Sequence, residues 1–188
     1  MSDLLYALHA ARLIQFGQFW VKDKIEPVRF ELALLASYPD LLLRITDEIA
    51  LPSAERLLCT SDALALGVAL SVKHGIPLVY SRAGSGDAGS PELIGAYDIG
   101  HPTALVVNVF GRNPGLRALI AHARQVGLQV NAIVAVLDAG CGTIDLPVSA
   151  VFQLNDIMHE LVQAGELPER QADLVLEWCL GEKHAHPY

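Results

Sequence analysis

The sequence predicts an α/β fold built on a mainly parallel sheet with helices on its faces, and three features predict it. The first is residues 103–127, where the apolar run Ala104 to Val107 has the length of a strand. Gly111, Pro114 and Gly115 then break the chain before Leu116, Leu119, Ile120 and Ala123 recur at helical spacing. The second is a strand–turn–helix–strand succession over residues 56–80, the pattern of a βαβ unit, which requires a crossover between parallel strands. The third is composition: 52% hydrophobic against 18% charged residues suits central strands covered on both faces.

The elements follow in order. Apolar residues at 4, 5, 8, 11, 13 and 14 predict an amphipathic helix from Leu4 to Ile14, with Asp3 near its start and Gly17 ending it. The segment FWVKDKIEPVRFEL alternates as two short strands around Asp23 to Pro27, and Pro27 confines one of them to an edge. A helix is expected over Pro39–Ile49, with Ser37 as its cap and Leu41, Leu42, Ile45 and Ile49 on one face. Pro52 marks the start of the core. There, Arg56–Cys59 reads as a buried strand, Thr60–Asp62 as a turn with Ser61 and Asp62 as N-cap residues, and Ala63–His74 as a helix. Gly75 stops that helix, and Ile76–Tyr80 is the next strand. Residues 81–92, SRAGSGDAGSPE, contain nothing that packs and read as a mobile surface loop. Leu93–Tyr97 pairs briefly before the strand–loop–helix of 103–127. Gln129–Leu137 is another apolar strand, ending in the Gly-rich DAGCG. Val148–Leu154 reads as an edge strand, Asn155 or Asp156 caps a helix to Gln163 closed by Gly165, and Pro168 opens a last helix to Leu180.

At 188 residues the chain suits one domain, divided into an N-terminal segment (1–51), an α/β core (52–153) and C-terminal helices (154–188). A net charge of -8 with scattered Lys and Arg argues against nucleic-acid binding. No apolar run approaches the roughly 18–20 residues of a membrane span, and the N-terminus lacks signal-peptide features, so a cytoplasmic protein is expected. Cys59, Cys141 and Cys179 are odd in number without C-x-x-C spacing, which favours reduced thiols over a disulfide framework or zinc site. His184 and His186 read as a solvated tail.

In their order and spacing these parts resemble the orotate phosphoribosyltransferases, a branch of the type I phosphoribosyltransferase fold. FGQFWVKDKIEP is similar to the family's F-x-L-K-S-G segment. The likeness continues through the helix after SYPDLL, the strand–turn–helix of 56–74, GIPLVYSR, ELIGAY, residues 103–127 and LNDIMHELVQAGEL. The resemblance implies a small N-terminal hood over the core, a homodimer, and phosphoribosyl pyrophosphate and a pyrimidine base as substrates, with magnesium. It also implies an acidic pair holding the ribose hydroxyls, but those positions match Asn108 and Val109. The phosphate-holding Thr-Thr-Gly becomes Arg112, Asn113 and Pro114. In the loop pattern R-K-x-x-K-x-H-G, which falls on residues 82–89, only Arg82 and Gly89 remain. Asp62 places a carboxylate in the pyrophosphate turn, and the Arg that meets orotate is Ala139, beside Asp138. Lys22 matches the family's N-terminal Lys.

Phosphoribosyl transfer separates charge between ribose and pyrophosphate, and losing one preplaced stabilising group commonly costs roughly a hundredfold in rate. With several lost together, the expectation is a protein without transferase chemistry that binds a phosphate-bearing molecule, a nucleotide or a partner protein. The alternatives are a divergent phosphoribosyltransferase acting on a pyrimidine or other base, with Asp138, Asp98 or Asp87 as its carboxylate, and a structural subunit whose crevice Val109 and Phe110 block. No catalytic or metal-ligating residue is assigned, and magnesium is expected only with phosphoribosyl pyrophosphate. Arg112, Asn113 and Gly115 are the candidate phosphate site, since loop amides at a helix N-terminus suit an anion. Arg112 as a solvated loop residue is the rival reading. Lys22, Arg82, Asn108 and Asp138 complete the crevice candidates, with a surface lysine and a turn former as the alternatives for Lys22 and Asp138.

Overall fold

The computed structural model describes residues 3–21, 24–82, 92–111, 113 and 115–185, without the side chains of 180 and 182–185. Helix α1 (Asp3–Ala10) leads into a hairpin of β1 (Ile14–Val21) and β2 (Lys24–Phe30). A 3-10 turn at Leu32–Ser37 and helix α2 (Pro39–Glu48) follow. The core contains β3 (Arg56–Cys59), a 3-10 turn at Ser61–Ala63, α3 (Leu64–His74), β4 (Leu78–Arg82), β5 (Glu92–Ile94), β6 (Pro102–Phe110), α4 (Leu116–Gln125), β7 (Gln129–Asp138) and β8 (Val148–Gln153). Helices α5 (Leu154–Gln163) and α6 (Glu169–Ala185) complete it.

Six strands form one sheet in the order β5-β4-β3-β6-β7-β8. All neighbours are parallel except β4 and β5. The mainly parallel α/β sheet is therefore as the residue pattern predicts. Side-chain alternation divides the core in two. Leu57, Cys59, Ala104, Val106, Val134 and Val136 join one buried cluster with side chains of α1, α2, α3, α5 and α6. Leu58, Leu105, Val107, Ile133 and Ala135 join the other with Leu116, Leu119, Ile120 and Ala123 of α4. Leu4, Leu8, Ile14, Val28 and Ile45 share the first cluster, so the N-terminal segment is packed into the core.

Several local expectations are corrected. Helix α1 stops at Ala10, with Arg12 in the left-handed region at φ 56, and the chain then turns into β1, which runs through Gly17. The ladder is irregular between Phe16 and Phe19, where glycine is readily accommodated. Pro27 sits in a two-stranded ribbon, in which each strand is an edge. Ser37 does not cap α2: Tyr38 is the N-cap and makes no side-chain capping bond. Ala63 holds the N-cap of α3 in place of Ser61 or Asp62, and Gln153 that of α5 in place of Asn155 or Asp156. Gly75 closes α3 with φ 65, as predicted. Strand β4 lies two residues later than predicted, β5 is shorter than 93–97, β6 and β7 are longer, and α6 extends beyond Leu180. Residues 83–91 of the predicted mobile loop lie outside the described residues.

Candidate functional site

The sheet order changes direction at β3. The chain moves from β3 to β4 on one side, and later adds β6 on the other. In an open α/β sheet this switch point opens a crevice at the carboxyl ends of the two strands. The site is therefore built from the residues after Cys59 and after Val107.

A hydrogen bond spans this point. Asn108, 3% exposed, donates from Nδ2 to the carbonyl oxygen of Asp62 at 2.7 Å. The same nitrogen lies 3.4 Å from Asp62 Oδ2. The turn after β3 is thus tied to the end of β6. Thr60, 4% exposed, carries a buried hydroxyl with no hydrogen-bond partner among the described residues. The neighbouring Cys59 thiol is pushed up to about 12, first by burial and then by the negative charge of Asp62. It is protonated at neutral pH and offers no nucleophile.

In the β6–α4 loop the Asn113 side chain turns back on its own chain. Gly115 donates its N–H to Asn113 Oδ1 at 3.0 Å, so an anion at this amide must displace the side chain. Arg112, the cation of the candidate phosphate site, lies outside the described residues, as does Lys22. Arg82 is exposed at the end of β4, and its Nη2 is 2.5 Å from Glu92 Oε2 across the β4–β5 ladder. Asp138 forms a turn, accepting the Gly140 N–H at 2.7 Å.

Close packing joins the loops after β6 and β7. Ala139 donates its N–H to the Phe110 carbonyl at 3.0 Å. A Cβ added to Gly111, at φ 95, would stand 2.9 Å from the Gly142 nitrogen, and one added to Gly142 would stand 2.8 Å from the Phe110 ring. Phe110 is buried in the α4-side core and Val109 is half-buried. Of the other carboxylate candidates, Asp98 does not join the crevice. Asp98 lies 3.8 Å from His101, which precedes β6 at the opposite end of the sheet, and Asp87 is outside the described residues.

One contact escaped sequence reasoning. Arg117, in the first turn of α4, donates from Nη2 to the carbonyl of Thr143 and lies 3.1 Å from its Oγ1. Its distance from the Gly-rich strand end in sequence hides this, although an Arg just behind the loop is a visible cue. Among the described residues, no group of three or more His, Cys, Asp and Glu side chains is placed to hold a metal ion. Magnesium takes oxygen donors, and the end of β6 presents an amide N–H toward Asp62 instead. The described residues do not fit that ion, and no step of the function below runs through it.

The six-stranded, mostly parallel sheet, its helices and its crevice define the type I phosphoribosyltransferase fold. Within that class the chain is similar to the orotate phosphoribosyltransferases. No protein-family model matches it. UMP synthase from Leishmania donovani superposes with a TM-score of 0.78 at 21% identity, over 95% of this chain and 42% of that one. This chain therefore spans less than half of that protein. The orotate phosphoribosyltransferase of Aeropyrum pernix superposes with a TM-score of 0.70 at 17% identity, over 85% of this chain and 98% of its own. That of Francisella tularensis gives 0.65 at 15%, over 96% and 98%. At these identities the likeness establishes the fold alone.

Proposed function

We propose that this chain has given up phosphoribosyl transfer and serves as a phosphate- or nucleotide-binding or partner-binding subunit on the phosphoribosyltransferase fold. The observation that carries the reading is the Asn108–Asp62 hydrogen bond at the switch point. Transfer develops positive charge on the ribose, which an anion at the end of the long strand would stabilise. Here that strand end is a neutral amide, and it is held by the turn that would have to receive pyrophosphate. Asp62 adds a negative charge where a polyanion would approach. The Arg112, Asn113 and Gly115 loop at the start of α4 supports retention of a single phosphate, after Asn113 releases the Gly115 amide.

The reading includes a homodimer. Helix α3, LALGVALSVKH, is apolar from Leu64 to Leu70, and a helix with apolar residues on every side is normally covered on both sides. Its outer face leaves Val68 and Val72 in solvent, Val72 at 79% exposure. That face carries no charge before Lys73, which is already paired with Asp47 of α2 at 2.7 Å. An uncharged face fits a second copy of itself across a two-fold axis.

Isothermal titration with phosphoribosyl pyrophosphate, with and without magnesium, tests the ligand. The expected result is no magnesium-dependent binding, with inorganic phosphate or a nucleoside monophosphate binding weakly. Micromolar, magnesium-dependent binding followed by turnover with a base would overturn the reading in favour of a divergent phosphoribosyltransferase.

A further inference from the structure

A cavity of about 300 Å³ lies among α1, the end of α2, the edge strand β8 and the first turns of α5. Its floor is apolar. Leu4 and Leu5 of α1, Phe152 of β8 and Ile157 of α5 line it, and all four belong to or pack against the larger buried cluster. Its rim is acidic. Glu48 is the last residue of α2, and Asp156 and Glu160 stand four residues apart on one face of α5. Among the described residues, no Lys, Arg or His lines the cavity. The cations next to α2 are already paired, Arg44 with Asp3 at 2.7 Å and Lys73 with Asp47 at 2.7 Å. Glu48 and Asp156 have no ion pair among the described residues. The three carboxylates also do not converge on a point, since no group of three His, Cys, Asp and Glu side chains among the described residues is placed to hold a metal ion. A cation that meets them has to be long, and the floor favours hydrocarbon.

We infer that this cavity binds an aliphatic diamine or polyamine, its methylene chain on the Leu5, Phe152 and Ile157 floor and its ammonium groups against Glu48 and Asp156. The volume is at the low end of the roughly 300–1,000 Å³ of ligand pockets, which limits the ligand to a short chain. Glu48 and Asp156 are exposed, and a single exposed ion pair contributes little. Affinity therefore requires both charged ends together with the stem, each buried methylene tightening binding roughly fourfold. The carbonyl end of α2 beside Glu48 adds a negative pole that also favours an ammonium group. A carboxylate of the same length would meet like charge at the rim and is excluded. The inference goes beyond the proposed function, because it concerns a cation at the β8 edge of the sheet and not an anion at the β6–α4 loop.

A ligand-observed NMR titration of the full chain tests it, with cadaverine as the probe, trimethylenediamine as the shorter diamine and pentanoate as the anion. Cadaverine should bind at millimolar concentration or below, trimethylenediamine roughly tenfold more weakly because it is two methylenes shorter, and pentanoate not at all. Glu48→Gln combined with Asp156→Asn removes both unpaired charges from exposed positions and should weaken cadaverine binding roughly fivefold or more. Asp173→Asn combined with Glu177→Gln makes the same change in net charge on the exposed side of α6, outside the cavity, and should leave binding unaltered. The inference is overturned if cadaverine does not bind, if pentanoate or trimethylenediamine binds as tightly, or if the two pairs of substitutions have the same effect. Phosphate binding at the β6–α4 loop is read in its own titration and persists or fails independently of these outcomes.

Discussion

Asn108 is held between two demands that an acidic residue cannot meet together. Its amide nitrogen is buried and points at a carbonyl oxygen, so a carboxylate there would face an acceptor with an acceptor. Asn108→Asp is expected to lower stability by about 1–3 kcal/mol, the cost of leaving buried groups unpaired, and to restore no transfer. A urea titration beside a pyrophosphate-release assay measures both. Cys59 gives a second expectation. Its thiol is at about 12 in the folded chain against 9.0 for an ordinary cysteine. Between those values the unfolded chain loses the proton first and the folded chain keeps it. Its contribution to stability is therefore complete below about 9 and is lost as pH rises toward 12. The fall in urea midpoint over that window should be shallower in Cys59→Ala than in the parent, since other groups titrate alike in both.

At the scale of elements, β3 and α3 are in close contact through a missing side chain. A Cβ on Gly67 would lie 2.9 Å from Cys59 Sγ and 3.2 Å from Leu78 Cδ1. Gly67→Ala should cost about 1–3 kcal/mol from overpacking, despite the better helix propensity of alanine. Combining it with Cys59→Ala should recover a large part of that loss, which a thermal-melt double-mutant cycle would read. The elements were largely legible because apolar periodicity is a local property: Leu116, Leu119, Ile120 and Ala123 at helical spacing are all buried. Helix starts were less legible. Ser37, Asp62 and Asn155 are good capping types, yet side-chain capping bonds are absent at the N-caps of α2, α3 and α5. Helix α3 is instead entered from the 3-10 turn at Ser61–Ala63. The Asn108–Asp62 contact was out of reach for another reason, since 46 residues separate its partners and only the sheet order brings them together.

For the whole molecule, one sheet with two faces carries unequal loads. Among the described residues, the buried cluster on one face takes its helical side chains from α4, whereas that on the other gathers α1, α2, α3, α5 and α6. The outer side of α3 is left with Val68 and Val72 in solvent. Val72→Asp should change the stability of an isolated chain by less than about 0.5 kcal/mol, as surface substitutions do. If α3 joins two copies, the same change should convert dimer to monomer in sedimentation velocity, and an unchanged dimer would remove α3 from the interface. The mainly parallel sheet was legible at this scale from strand–helix alternation, whereas the strand order that sets its switch point was not. The crevice was legible only as residue types, Asn108 where the resemblance implies an acid, without the bond that Asn108 makes. That bond is unequal in what it asks of its two partners. An acid at 108 would face the Asp62 carbonyl with an acceptor and weaken the fold, whereas any side chain at 62 keeps the bond, since its 2.7 Å acceptor is the main-chain oxygen. The tie between turn and strand therefore depends on the residue at one of its ends alone.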